Sequence, residues 1–296
     1  MNTRKRRRSG FTLIELLVVV SIISLLLSIL IPSLQRARKQ ARTVICGTHL
    51  RSLGQGWEMY ADDHGDTLLP ARLPVFSAGG FASQSNYYRI STGMKYRPRW
   101  PALMQQYVGV PAIEKPSTIR SRQNYHNEVY VCPTVQHWKD ERNAAYGYNY
   151  QFLGSHRSKG GGARNLPVGG TEVFKTAETV VAGDSNGSAA AFPASMRQEH
   201  RNSSRRTRRR GNYGWLLDPP RMTPGSSRAG GRGSPRSAPD ERHRGHANMV
   251  FADGHVSLLT LAQLGYQVGG DGRVLMTGPD ANNRFFSGTG EDSSPP

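Results

Sequence analysis

The sequence predicts an α+β architecture, in which one long N-terminal helix crosses a membrane and lays its outer half on an antiparallel sheet. Three observations predict it. Residues 11–31, FTLIELLVVVSIISLLLSILI, run for 21 residues with Glu15 as the one charge, the length a helix needs to span a hydrocarbon core. Apolar residues continue at helical spacing beyond Pro32. Near the C-terminus two apolar runs flank Asp253-Gly254, the strongest short hairpin signal a sequence carries.

The apolar run leaves no polar face for water, so it does not read as a soluble core helix. Arg4, Lys5, Arg6, Arg7 and Arg8 precede it. The positive-inside rule keeps that end in the cytoplasm and places the rest of the chain outside. A secretory signal has the same basic and apolar parts. Here the run is longer than a usual signal core, and the following SLQRARKQAR offers no A-x-A cleavage site. An uncleaved anchor is the competing reading. A carboxylate inside an apolar helix is costly and marks a functional position, which singles out Glu15. Pro32 closes the run, where it can kink the helix.

Residues 9–38, SGFTLIELLVVVSIISLLLSILIPSLQRAR, resemble the prepilin N-terminus of type IV pilins and type II secretion pseudopilins. The resemblance implies a pilin-like fold. It also implies cleavage between Gly10 and Phe11 by a membrane prepilin peptidase, which methylates the new Phe11 amine. Glu15 would pair with the Phe11 amine of a neighbouring subunit during assembly, in keeping with the need of a carboxylate in lipid for a nearby cation. The expected organisation is a leader at 1–10, a transmembrane helix at 11–32, an amphipathic extension at 33–66 and an extracytoplasmic domain at 67–296.

In the extension, Leu34, Ala37, Ala41, Val44 and Thr48 recur at spacings of three and four. Leu50, Leu53, Trp57 and Tyr60 continue after a phase shift near Gly47. Gly54 and Gly56 weaken this helix, and Asp62-Asp63-His64-Gly65-Asp66 ends it. That acidic group lacks the bidentate Glu of an EF-hand and reads as a solvated turn. A short helix is expected at Trp100–Met104, with Pro101 in its first turn. Strands are expected at Glu128–Cys132, stopped by Pro133, at the aromatic stretch Ala145–Tyr150 and at Glu178–Ser185. Residues 154–170 form a Gly-rich loop without the Lys-Ser/Thr of a phosphate-binding loop. Gly183–Gly187 fits G-x-S-x-G, but that motif requires a helix directly after its serine. GSAAAFPAS is a poor helix start, so Ser185 reads as a turn residue and no catalytic residue is assigned.

The formal net charge is +18, and five of those charges lie in residues 1–10, so a cleaved chain keeps about +13. Twelve Arg accompany three acidic residues between Arg201 and Arg244. This balance permits nucleic acid, anionic lipid or acidic polysaccharide without choosing among them; a solvated basic loop is the plainer reading. Residues 201–242 carry few apolar groups and read as a mobile insertion. Cys46 and Cys132 make no metal framework by themselves, and either a long-range disulfide or two free buried thiols satisfies the sequence. His243, His246, Asp253 and His255 are metal-ligand residue types around the predicted hairpin. They would have to turn inward from opposite strand faces, so structural roles are preferred and no metal or cofactor is expected.

His243 precedes Asp253-Gly254 by ten positions. This H-x9-DG spacing resembles the C-terminal region of a large prepilin-like family well represented in planctomycetes. Lesser matches are Leu50–Gly54, Val131-Cys132-Pro133 and Thr179–Ser185. The Arg-rich insertion departs from that family, and no enzymatic activity follows from the resemblance. It implies a structural subunit, of the minor kind, in a pilus-like or pseudopilus fibre. Its partners would be prepilin peptidase, other pilin-like subunits and membrane lipid. The competing class is a membrane-anchored binding protein for DNA or acidic glycans. A third is an anchored hydrolase using Ser185 with His243.

Overall fold

The computed structural model describes residues 12–71, 88–89, 95–96, 99–113, 124–139, 144–154, 156–157, 163–164, 168–197, 214–222, 237–275 and 280–295. Gly10 and Phe11 lie outside the described residues, as does most of 201–242. The chain divides into two compact units, residues 1–41 and 42–296. Helix α1 (Leu13–Asp63) begins in the first and continues into the second, with Pro32 inside it.

In the first unit the apolar stretch of α1 is long and apolar enough to cross a membrane, and none of it is buried within the chain. In lipid every polar group must be satisfied internally. The hydroxyls of Ser21, Ser24 and Ser28 do this by donating to the carbonyls of Val18, Val20 and Leu25, each at 2.7 Å.

The second unit is the folded domain. Strand β1 (Tyr88–Arg89) pairs with β2 (Lys95–Tyr96). Two single-turn helices follow, α2 (Trp100–Leu103) with proline in its first turn, and α3 (Gln105–Val108). After β3 (Tyr146–Tyr148) and α4 (Tyr150–Leu153), β4 (His156–Arg157) pairs with β5 (Ala163–Arg164). The main sheet is completed by β6 (Val180–Gly187), β7 (Ala238–Pro239), β8 (Ala247–Phe251) and β9 (Val256–Leu259). A last two-residue ladder joins β10 (Gln267–Val268) to β11 (Val274–Leu275). Sheet order is β3-β6-β8-β9, with β7 also on β6, and every pairing is antiparallel. The fold class is therefore α+β, a long apolar N-terminal helix with an antiparallel sheet.

Strand β6 is central and buried, while β8 is buried along its whole length. From Arg42 onward, α1 buries Thr43, Cys46, Leu50, Leu53, Gly54, Trp57 and Tyr60 on one stripe. The second half of the predicted face is thus the buried one. The first half is not, because Val44 and Thr48 are exposed. The stripe starts instead at Thr43 and Cys46, whose partners on the sheet side are polar, and a count of apolar residues passes over them. Gly54 and Gly56 are interior helix residues. A Cβ on Gly54 would lie 2.6 Å from Val250 Cγ2, and one on Gly56 2.8 Å from Val108 Cγ2. These glycines are the points where β8 and α3 approach the helix backbone.

Three further expectations are corrected. Glu128–Tyr130 is a 3-10 turn, not a strand, because the Asn127 side chain accepts the Val129 N–H at 3.0 Å and caps it. The β8–β9 connection is not a type I′ turn, which needs positive φ at both central residues. Only Gly254 is left-handed, at φ 80°, and the Gly254 N–H donates to the Phe251 carbonyl at 3.0 Å. The Phe251 N–H donates to the His255 carbonyl at 2.9 Å, and the loop that this bond closes is Ala252–Gly254. Lastly, residues 214–222, inside the stretch read as a mobile insertion, belong to the core. Leu217 is fully buried and its N–H donates to the Tyr148 carbonyl at 2.8 Å. The Gly214-Trp215-Leu216-Leu217 island is diluted by its Arg-rich surroundings, so average composition conceals it. The acidic turn keeps its reading: the Tyr107 hydroxyl donates to Asp63, and the Thr171 N–H donates to Asp66 at 3.0 Å.

Gly54→Ala tests the close approach. Alanine in a helix interior normally gains about 1 kcal/mol over glycine, whereas overpacking against Val250 costs about 1–3 kcal/mol. The melting temperature of the detergent-solubilised chain is expected to fall by a few degrees. A rise would show that β8 does not press on the helix there.

Candidate functional site

Two places carry chemistry. The first is the start of α1. Thr12 stands at the N-cap and Glu15 three residues on, the spacing of a capping box. The Glu15 N–H donates to Thr12 Oγ1 at 3.2 Å, and Glu15 Oε2 accepts from the Thr12 N–H at 2.8 Å and from the Thr12 hydroxyl at 2.7 Å. The positive end of the helix dipole also favours a carboxylate in this turn. Both bonds from Thr12 fall on the one carboxylate oxygen, Oε2.

The second place is the interior of the domain. Asp184 sits on β6 opposite Tyr146 of β3 and is fully buried. Burying a carboxylate is expensive unless it is paired and hydrogen-bonded. Asp184 Oδ2 accepts the Asn248 N–H at 2.8 Å and lies 3.3 Å from His243 Nε2. The Cys46 thiol donates to Oδ1 at 3.4 Å, and Arg242 Nε is 3.9 Å from the same oxygen. Cys132 Sγ is 3.5 Å from His243 Nε2, while His243 Nδ1 is 3.2 Å from Thr43 Oγ1. The Tyr146 hydroxyl donates to Cys46 Sγ at 3.4 Å. Cys46, Cys132, Asp184 and His243 thus gather their donor atoms within 4.8 Å of one another. Both thiols are free.

The electrostatics follow from burial and crowding. Burial, with the neighbouring Cys132 and Asp184, pushes the Cys46 thiol well up. Cys132 is held low, at about 5, by the Cys46 thiol and by the His243 ring. Burial disfavours a charged His243 ring, but the Asp184 carboxylate and the Cys132 sulfur outweigh it and push the ring up to about 9. Arg242 spans Asp184 and Asp240 and lies over the Trp138 ring at 4.8 Å.

The other candidates stand apart from this cluster. His246 is half-buried, with Nδ1 3.2 Å from the Arg244 carbonyl. His255 pairs with Asp253 at the hairpin loop. The four metal-ligand residue types around the hairpin, His243, His246, Asp253 and His255, therefore do not gather into one site. Ser185 lies within β6, which continues to Gly187 and then enters a 3-10 turn. Its buried hydroxyl donates to the Leu216 carbonyl at 3.2 Å and lies 3.1 Å from Ser237 Oγ. This is not the exposed strand-to-helix corner a nucleophilic serine needs. Sequence reading pairs Cys46 with Cys132, takes His243 apart from them and passes over Asp184. The available signal was a carboxylate inside an otherwise apolar strand.

Comparison with known proteins bears on the N-terminus. Residues 5–31 match the prokaryotic N-terminal methylation motif. The chain is 44% identical over 59 residues to the type IV wide pilus major component of Thermus thermophilus, a match that covers 20% of this chain and 45% of that relative. No solved structure matches. The methylation motif, the apolar helix it occupies and the 59-residue likeness to a type IV pilin are features this chain shares with prepilin-like, single-pass membrane proteins.

Proposed function

We propose that the chain is a structural subunit, of the minor kind, in a type IV pilus-like or type II secretion pseudopilus fibre. The observation that carries this reading is the methylation motif at residues 5–31, laid on a helix whose one early charge is Glu15. Prepilin peptidase would cut between Gly10 and Phe11 and methylate the new amine. The basic leader sets the cytoplasmic side of the inner membrane, leaving the folded domain outside. In a fibre, Glu15 would exchange its local bond to the Thr12 N–H for the charged Phe11 amine of a neighbouring subunit. That pairing suits a lipid setting, where an unpaired carboxylate is costly.

Two measurements test the reading. Mass spectrometry of the N-terminal peptide, on protein purified from membranes, is expected to begin at methylated Phe11. A start at Met1, or within residues 36–45, contradicts it. Glu15→Val is expected to leave membrane insertion intact, since removing a charge makes the helix more lipid-soluble. Incorporation into cross-linked oligomers should fall at least about tenfold, the equivalent of about 1.4 kcal/mol. Wild-type incorporation of this variant would remove Glu15 from assembly.

A further inference from the structure

We infer that Cys46, Cys132, Asp184 and His243 form a closed structural site for one divalent transition metal of the zinc class. The four donors come from four separate parts of the fold. Cys46 is on α1, Cys132 follows the 3-10 turn Glu128–Tyr130, Asp184 is on β6, and His243 precedes β8. Tetrahedral zinc, with bonds of about 2.0–2.3 Å, sets its ligand atoms about 3.3–3.8 Å apart. The spacings here are 3.4 Å from Cys46 Sγ to Asp184 Oδ1, 3.5 Å from Cys132 Sγ to His243 Nε2 and 3.3 Å from that nitrogen to Asp184 Oδ2. Three spacings thus already match, and the four donor atoms all lie within 4.8 Å of one another, so a shift of about 1 Å closes the set onto one ion.

The surrounding groups orient the ligands as metal sites require. Thr43 Oγ1, 3.2 Å from Nδ1 of His243, holds the ring so that Nε2 faces the centre. The Asn248 N–H fixes the Asp184 carboxylate at 2.8 Å, and the Tyr146 hydroxyl donates to Cys46 Sγ at 3.4 Å. Two sulfurs, one imidazole and one carboxylate form a donor set for zinc. Calcium and magnesium take mainly oxygen ligands. Ligation needs both cysteines as thiolates and His243 Nε2 without its proton, so whichever protons these three groups hold leave to solvent as the dication enters. All four residues are buried, at 0–3% exposure, and four protein ligands leave no position for substrate. The ion would therefore serve as a cross-link between helix, sheet and loops, and not as a catalyst.

The test uses the full chain, extracted in detergent without chelator. Elemental analysis is expected to find about one zinc per chain, with both thiols unreactive until a chelator is added. Chelation should lower the melting temperature by about 10 °C, since metal-binding free energy becomes folding free energy. Cobalt(II) added to the stripped chain should give the thiolate charge-transfer and intense d–d absorption of a tetrahedral site. Cys132→Ser should retain less than about a tenth of the zinc, and His246→Ala should retain all of it. The proposal is overturned if the stripped chain, still showing a cooperative tryptophan-fluorescence transition, takes up neither zinc nor cobalt. It is equally overturned if unreduced peptide mapping finds Cys46 and Cys132 joined as a disulfide. Because the stripped wild-type chain is itself titrated, misfolding of a variant cannot decide the outcome.

Discussion

A carboxylate buried in the middle of the central strand constrains the rest of this domain. Asp184 cannot remain charged and dry without donors and cations around it. The chain supplies them from every direction: the Asn248 N–H from β8, Cys46 from the helix, and Arg242 and His243 from the segment ahead of β8. Each partner fixes the register of its own element. Cys46 sets which face of α1 meets the sheet, and Asn248, which also donates to the Thr43 carbonyl at 3.4 Å, sets where β8 meets the helix. Below this polar layer the contact is apolar and close, with Gly54 admitting Val250 and with the Trp57 indole N–H donating to the Tyr148 hydroxyl at 3.0 Å. Polar groups determine the register, and apolar burial supplies most of the driving force.

Much of the fold was legible because its signals are local. The apolar length of residues 11–31, the buried-strand run at Glu178–Ser185 and the two runs about Asp253-Gly254 each state their element within a few residues. What failed was non-local or compositional. The Trp215–Leu217 segment is short and surrounded by arginines, so averaging hid it, yet the Leu216 carbonyl accepts from Ser185 and that of Trp215 from Trp100 Nε1. The strand expected at Glu128–Cys132 yielded to one Asn cap. The helix face was misplaced before Leu50 because its partners there are Asp184 and Asn248 and not an apolar surface.

The candidate sites divide in the same way. The helix start is local, since Thr12 and Glu15 are three residues apart and form their box without help from the rest of the chain, but the sequence reading singles out Glu15 alone. The interior cluster is not local. Cys46 and His243 are nearly two hundred residues apart, and no spacing rule joins them. The sequence did mark the segments involved, for Val131-Cys132-Pro133, Thr179–Ser185 and His243 were each singled out separately. Their convergence is a property of the sheet and of the helix lying across it.

The central claim is that Asp184 holds these elements together by charge and hydrogen bonding. The direct measurement is the tryptophan-fluorescence melting temperature of the full chain carrying Asp184→Ala; Trp57, Trp100, Trp138 and Trp215 all report on the folded unit. Removing one partner from a buried charge network costs about 3–5 kcal/mol. At about 2–4 °C per kcal/mol for a domain of this size, a fall of roughly 6–20 °C is predicted. A melting temperature within about 2 °C of the unsubstituted chain would contradict the claim and leave apolar packing alone to set the fold.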